Sequence, residues 1–310
     1  MAVNNQTCIN EFILLGFPGS REVQILYFVV FLVIYILTIL TNSMIITIVC
    51  IDKHLHNPMY FFLSNFAFLE IWYPTVTIPK MLSGFLTGNK EISYRSCIAQ
   101  LYSFYFLASM EYILLTIMAF DRYFAICYPL QYGTIMNLGF CKKLAIGSWI
   151  GGFLNGWAMS IPGFLFSFCE SNELSHFFCD IMPLMKLASS DTVGYVVIFI
   201  YNGWVLVIVP LFLITVSYSF IIVTILRLPS ATGRTKAFST CISHITVVLL
   251  FFGTVIFVYL RLDPMQSYEA DKAVALIFTT VTPLLNPLIY SLRNKDMLKA
   301  LSRLWGKICN

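Results

Sequence analysis

Two carboxylates stand deep inside apolar runs of the chain. Glu70 lies 12 residues after Pro58, and Glu111 lies 11 residues before Arg122. On a helix rising about 1.5 Å per residue, these offsets are about 18 and 16 Å. With Pro58 and Arg122 at one edge of an apolar layer, both carboxylates reach its middle at one level. Asn42 and Asn286 come from two other apolar runs at similar depth. Ionisable groups are costly there and mark a functional position by default. Two close carboxylates do not both ionise unless a cation sits between them; otherwise one keeps a proton. Glu70 and Glu111 are therefore expected to form a mid-membrane ion or proton site, with a sodium ion or a water cluster. The alternative is a neutral hydrogen-bonded knot that only fixes packing.

A second constellation is Asp121-Arg122-Tyr123, near the end of the run Cys97–Cys127. An adjacent acid and base at a membrane edge are expected to hold each other, with Arg122 exchanging partners when neighbouring helices move. Tyr218, His244 and Tyr290 fall near the same level on later runs and complete a switch. Cys97 stands 25 residues from Arg122, about 37 Å of helix. That exceeds a hydrocarbon core of about 30 Å, so one helix puts the two residues on opposite sides. In an oxidising compartment Cys97 and Cys179 are able to pair and tie a long loop over the bundle mouth; two free thiols are the alternative. His54, His56, His176 and His244 fall in separate segments, and no metal site is expected. The chain shows no nucleophile–base arrangement, phosphate loop or zinc motif, so no enzymatic activity and no resident cofactor are expected beyond the ion or water cluster.

The elements that carry these residues follow from composition and patterning. Of 310 residues, 59% are hydrophobic and 11% charged, where a soluble protein has about 25% charged. Seven runs are long enough to cross a bilayer: 24–50, 58–86, 94–127, 141–166, 193–227, 237–261 and 270–292. Turn signals or charges separate them, and neither an internal repeat nor a soluble domain interrupts the series. The expected fold is all-α: a single seven-transmembrane helix bundle over 1–310, with a tail at 1–23, the bundle at 24–292 and a short helix and tail at 293–310. In that last segment Met297, Leu298, Leu301, Leu304 and Trp305 alternate with cations, the pattern of a surface amphipathic helix. Prolines 74, 79, 162, 210, 283 and 287 fall inside spans, where neighbouring helices re-satisfy the backbone.

Charge sets the expected orientation. Segments on the side of the C-terminal tail hold twelve Lys and Arg against three acids, a net +9; those on the other side hold seven against ten, a net −3. The positive side faces the cytoplasm, so the N-terminus is expected outside a plasma membrane. The first 23 residues lack a basic n-region and an apolar core, so the first span is expected to serve as its own insertion signal. Asn5-Gln6-Thr7 is a sequon on the translocated side, and Asn5 is expected to carry a glycan.

Several stretches together resemble the vertebrate odorant (olfactory) receptors of the rhodopsin-like G-protein-coupled receptor family. They are LHNPMYFFLSNFAFLE (55–70), PKML (79–82), MAFDRYFAIC (118–127), HFFCD (176–180), SY (217–218), KAFSTCISH (236–244) and PLLNPLIYSLRN (283–294). The resemblance spreads over the whole chain. It implies a disulfide between Cys97 and Cys179. It implies that Asp121, Arg122, Tyr123, Tyr218, His244, Asn286 and Tyr290 serve activation and G-protein coupling, and that Glu70 and Glu111 match an acidic pair at mid-membrane. The implied partners are a small-molecule odorant, membrane lipid and the stimulatory olfactory heterotrimeric G protein, which raises cyclic AMP; no nucleic acid is implied. The chain departs from the family pattern at Phe120, where Tyr is usual in MAYDRY. It departs again at Phe251-Phe252-Gly253, where the family usually has FYG, so a hydroxyl under the pocket is lost. Ser189 stands where a third loop cysteine is frequent, which leaves the pairing of Cys169 open. Thr41 precedes Asn42 where the family prefers Gly.

Helix phase places Phe104, Tyr105, Ala108 and Ser109 on one face of the third span, above Glu111. Asn202, Leu206, Val255, Tyr259 and Thr279 match the family's odorant-facing positions on the fifth, sixth and seventh spans. This wall has few hydrogen-bonding groups and no charge, and it suits small, volatile, mostly neutral molecules. A light receptor needs a Schiff-base lysine in the seventh span; between Lys272 and Lys295 there is none, and Thr280 lies in the middle. An aminergic receptor wants an acid on the outer third span, where Phe104 and Tyr105 stand. A transporter predicts repeats or paired broken helices, which the pattern lacks.

Overall fold

The computed structural model describes residues 9–169, 171–189, 191–259, 268–292 and 294–308. Asn5 lies outside them, and the Tyr259 side chain is likewise outside the described set. The chain forms β1 (Glu11–Leu14), α1 (Arg21–Ile51), α2 (Pro58–Thr87), β2 (Glu91–Ser93), α3 (Tyr94–Cys127), α4 (Pro129–Ile135) and α5 (Leu138–Leu165). It continues through β3 (Glu173–Leu174), α6 (Ile181–Leu187), α7 (Val193–Leu226), α8 (Ala231–Tyr259), α9 (Tyr268–Leu276), a π turn (Ile277–Val281), α10 (Thr282–Leu292) and α11 (Lys295–Ile308). Among the described residues five helical segments, α1, α3, α7, α8 and α9–α10, are long and apolar enough to cross a membrane, and α2 and α5 pack with them to complete the bundle.

Local chemistry sets the helix ends. The Asn57 side chain accepts from the Tyr60 N–H at 3.3 Å, with Pro58 in the first turn. Gly88, at φ 77°, closes the same helix in the left-handed conformation that a side chain disfavours. Ser93 caps α3 by accepting from the Ser96 N–H at 3.2 Å.

Two observations show how the bundle is solvated. Leu26, Val29, Val33 and Leu40 of α1, and Val197, Val205, Val209 and Phe212 of α7, are exposed although apolar. Such faces belong against lipid. By contrast, 67% of the most apolar stretch of α3 is buried, against 11% of that of α1. Helix α3 is therefore the central post, packed on α2, α5 and α7. It approaches α5 closely because Gly152 and Gly156 face Phe106; a Cβ at Gly152 would stand 2.8 Å from the Phe106 carbonyl oxygen.

A cap that the hydrophobic pattern does not announce covers the N-terminal face. Strand β1 pairs antiparallel with β2 (Phe12 opposite Ile92) and parallel with β3 (Leu14 opposite Leu174). Phe12 is fully buried, edge-on to Phe168 at 5.4 Å. Cys97 and Cys179 form a disulfide, with Cα atoms 5.4 Å apart, that ties this loop to the top of α3. Gln100 reinforces the junction: its Oε1 accepts from the Cys179 N–H at 2.8 Å, and its Nε2 donates to the Val76 carbonyl at 2.8 Å.

On the opposite face α11 packs by Met297 and Ala300, both 1% exposed. The Asn294 Oδ1 accepts from the Tyr60 hydroxyl at 3.0 Å and from the N–H groups of Asp296 and Met297, tying α11 to α2. Arg303 donates twice to one Asp52 oxygen, at 3.0 and 2.6 Å, and this guanidinium holds the Asp52 carboxyl below the usual range.

Candidate functional site

Below the cap lies a narrow cavity of about 40 Å³. Helix α3 contributes Phe104, Tyr105, Ala108, Ser109 and Tyr112 to its wall, and α7 contributes Phe199, Asn202, Gly203, Leu206 and Val207. Val255 of α8, Asn155 and Met159 of α5 and Phe278 of the π turn complete it. Seven of the residues read from the sequence as odorant-facing are thus brought together: Phe104, Tyr105, Ala108, Ser109, Asn202, Leu206 and Val255.

Thr279 stands apart from these seven. It is fully buried but does not line this cavity; its hydroxyl lies 3.5 Å from the Leu276 carbonyl and 3.4 Å from Thr280 Oγ1, and Phe278 holds the place in the wall. The reason is the π turn, which inserts an extra residue and rotates the register away from the α-helical phase. Pro283 gives it a cause. A proline has no N–H for the carbonyl four residues back and its ring crowds that carbonyl, so a wider turn ahead of it relieves the clash.

The polar groups of the wall are already engaged. Asn202 Nδ2 donates to Asn155 Oδ1 at 2.9 Å, and Asn155 Nδ2 donates to Ser109 Oγ at 2.6 Å. Ser109 passes its hydrogen to the Tyr105 carbonyl at 2.6 Å, so one chain of bonds crosses α7, α5 and α3. The Tyr105 hydroxyl donates to Asp180 Oδ1 at 2.7 Å, linking the wall to the cap. In the cap His176 is buried, stacked on Phe177 at 4.7 Å. Burial, aided by the nearby Lys272 charge, pushes the His176 imidazole down to about 3. Tyr112, Asn155, Met159, Phe199, Gly203, Val207 and Phe278 are absent from the sequence-based set. For Asn155 a signal exists, because a lone amide in an apolar span seeks a partner on another helix.

Midway along the bundle, Glu70 and Glu111 are 2% and 4% exposed and interact directly through their carboxyl groups. Asn286 Nδ2 donates to Glu70 Oε1. Asn42 Nδ2 donates to the Pro283 carbonyl at 3.1 Å and to the Thr38 carbonyl at 3.0 Å, fastening α1 to α10. Asn286 Oδ1 and the Tyr290 hydroxyl have no protein partner among the described residues.

Toward the C-terminal face, the expected mutual hold of Asp121 and Arg122 is not what the structure shows. The Asp121 carboxylate accepts from the Tyr132 hydroxyl of α4 at 2.8 Å, and Arg122 makes no hydrogen bond or ion pair among the described residues. Successive positions on a helix do not face each other, which explains the difference. The Tyr218 hydroxyl lies 2.9 Å from His244 Nδ1, and His244 Nε2 lies 3.2 Å from the Leu115 carbonyl. A carbonyl only accepts, so Nε2 carries the ring hydrogen and Nδ1 accepts from Tyr218. These bonds join α7, α8 and α3 two turns from Arg122. Tyr123 sits edge-on to Phe220 at 5.9 Å, and Tyr290 edge-on to Phe66 at 5.9 Å.

The chain matches a family profile described as "Olfactory receptor" over residues 31–307. It is 45% identical to olfactory receptor 6B9 of Mus musculus over 306 residues, covering 97% of this chain and 95% of that one. It is 46% identical to the human olfactory receptors 6F1 and 10A7, each over 308 residues and 98% of this chain, covering 99% and 96% of theirs.

Proposed function

The chain belongs to the olfactory receptor family, a family of non-enzymatic G-protein-coupled receptors in the membrane, and on that premise we propose that it binds a small, volatile, neutral molecule in the α3–α5–α7 cavity. The bound state activates a stimulatory heterotrimeric G protein and raises cyclic AMP. The N-terminal cap is extracellular and α11 lies on the cytoplasmic surface of the plasma membrane.

The observation that carries the ligand class is the chemistry of the wall. None of its described lining residues is charged, and the Tyr105 hydroxyl stands between the wall and Asp180. An ammonium or carboxylate entering here loses hydration without a countercharge, at a cost well above that of a neutral group. An alcohol, aldehyde, ketone or ester loses less, and one hydrogen bond returns about 0.5–1.5 kcal/mol. The test is dose–response of cyclic AMP in transfected cells to amine, acid, alcohol and ester on one carbon skeleton. The neutral members are expected to be the agonists; greater potency of the charged members refutes the assignment. A transporter or channel would instead give ligand-driven ion flux without cyclic AMP.

The Glu70–Glu111 pair is the polar centre between the cavity and the switch. Its donors are all oxygens, and Asn286 Oδ1 is an additional acceptor with no protein partner among the described residues. That set fits a sodium ion or a water cluster, or one proton shared by the two carboxyls. Arg122, with Asp121, Tyr123, Tyr218, His244, Asn286 and Tyr290, carries the change to the G-protein face.

A further inference from the structure

The cavity face of α3 continues one turn beyond Ala108 to Tyr112. The Tyr112 ring stands edge-on to Phe251 at 5.0 Å and tilted against Phe252 at 5.6 Å, and Phe251 lies 5.3 Å from Phe278. These rings make an aromatic floor. The other hydroxyls of the wall have committed their hydrogens, Ser109 to the Tyr105 carbonyl and Tyr105 to Asp180. The Tyr112 hydroxyl makes no hydrogen bond among the described residues. A phenol in an apolar site normally finds a partner, because leaving its hydrogen unbonded is costly. Phe252, facing it from α8, supplies no hydroxyl.

We propose that Tyr112 is a specificity-determining residue of the ligand site, donating its hydroxyl hydrogen to an acceptor oxygen of the ligand at the floor of the cavity. The inference rests on the reading of this cavity as the odorant site. It calls for a ligand oxygen that accepts, which the carbonyl oxygens of aldehydes, ketones and esters do without a hydrogen of their own to place. Tyr105 and Tyr112 are seven residues apart on α3, about 10 Å along the axis. The oxygen end lies deep, on the Phe251–Phe252 rings, and the apolar body extends toward Tyr105. The hydroxyl missing from α8 is in this way supplied from α3, on the opposite wall.

The experiment uses the full chain in cells, with surface level measured by antibody. The probes are neutral aldehydes, ketones and esters of six to about ten carbons, with cyclic AMP as readout. Tyr112→Phe keeps the ring and removes only the hydroxyl. It is expected to lower the potency of carbonyl agonists roughly three- to tenfold, the worth of one neutral hydrogen bond. Adding Phe252→Tyr in the same chain returns a hydroxyl from across the floor and is expected to restore potency to within about threefold. Unchanged potency of Tyr112→Phe at equal surface level overturns the proposal. So does a loss that the second substitution fails to restore, since that marks a packing role. Should Tyr112→Phe not reach the surface, the double variant decides alone: potency within threefold of wild type supports the proposal and a larger loss overturns it. A wild type that answers no neutral probe overturns the odorant-site reading itself; a wild type that answers while Tyr112→Phe is unaffected overturns only this inference.

Discussion

Replacing Cys97 by Ser tests how the cap is held over the cavity. Both sulfurs of the Cys97–Cys179 bond are fully buried, and the bond closes a sequence separation of 82 residues. The chain-entropy relation gives about 4.5 kcal/mol for a loop of that length. That figure treats α5 as coil, but a membrane helix stays inserted when the cap comes loose. The segment actually released on this side runs from Leu165 to Cys179, 14 residues, for which the same relation gives about 3 kcal/mol. This corresponds to about a hundredfold in the ratio of docked to undocked loop. Gln100 to the Cys179 N–H, Tyr105 to Asp180 and the β1–β3 pairing remain, each contributing about 1 kcal/mol. They do not replace the covalent tie. Flow cytometry of an N-terminally tagged receptor, with dose–response on the surface fraction, gives the readout. Cys97→Ser, Cys179→Ser and the double variant are expected to lose surface display alike, by tenfold or more, and whatever arrives responds weakly. A single variant at wild-type surface level and potency would refute the reasoning, because the non-covalent contacts would then suffice. Loss in the single variants but not in the double would assign the damage to the stranded thiol.

Arg122→Ala is expected to leave ligand binding intact and abolish cyclic AMP output, since Arg122 lies 13 residues below Ser109, about 19 Å of helix; unchanged output at equal surface level removes Arg122 from the switch. Glu111→Gln is expected to alter basal or evoked signalling in a sodium- or pH-dependent way, because it removes one charge from the Glu70 pair; a well-expressed variant with wild-type sodium and pH responses leaves only the packing role. His176 makes the cap acid-sensitive. Held at about 3 when folded against about 6.5 unfolded, it binds fewer protons in the folded state, so its contribution is complete above pH 6.5 and falls as pH drops toward 3. The loss between pH 6.5 and 5 is at most about 2 kcal/mol. Melting of the purified receptor at pH 7 and pH 5 should show a smaller acid shift in His176→Phe, and an equal shift in both proteins contradicts the assignment.

The spans were legible because their signals are local. Asn57-Pro58 opens α2, Gly88 closes it and Ser93 opens α3, and each acts through a cap whose chemistry a sequence displays. The amphipathic α11 was legible for the same reason. The cap sheet was not. Its strands have four, three and two residues, too short for alternation to stand out, and the pairing of β1 with β3 is fixed only once the loop after α5 is drawn over the bundle. Thr279 marks another boundary. Its assignment rested on a match to the family's odorant-facing positions, and Pro283 was the visible sign that the helical phase would be broken four residues earlier.

The candidate site shows which part of recognition a sequence carries. Residue types and helical phase place Phe104, Ala108 and Ser109 on one face, and the same phase extends to Tyr112, because positions four apart lie on one stripe. What phase does not carry is the direction of each hydrogen. Ser109 and Asn202 look like handles for a ligand, yet Asn155 reaches both and Ser109 spends its hydrogen on the Tyr105 carbonyl. Each such bond exists because a polar group in lipid takes any partner within reach, and the partners come from helices distant in the chain. A ligand oxygen therefore meets a wall whose nominal donors are mostly engaged with one another. Its affinity depends less on how many polar residues face the cavity than on which hydroxyl the helix-to-helix network leaves without an acceptor.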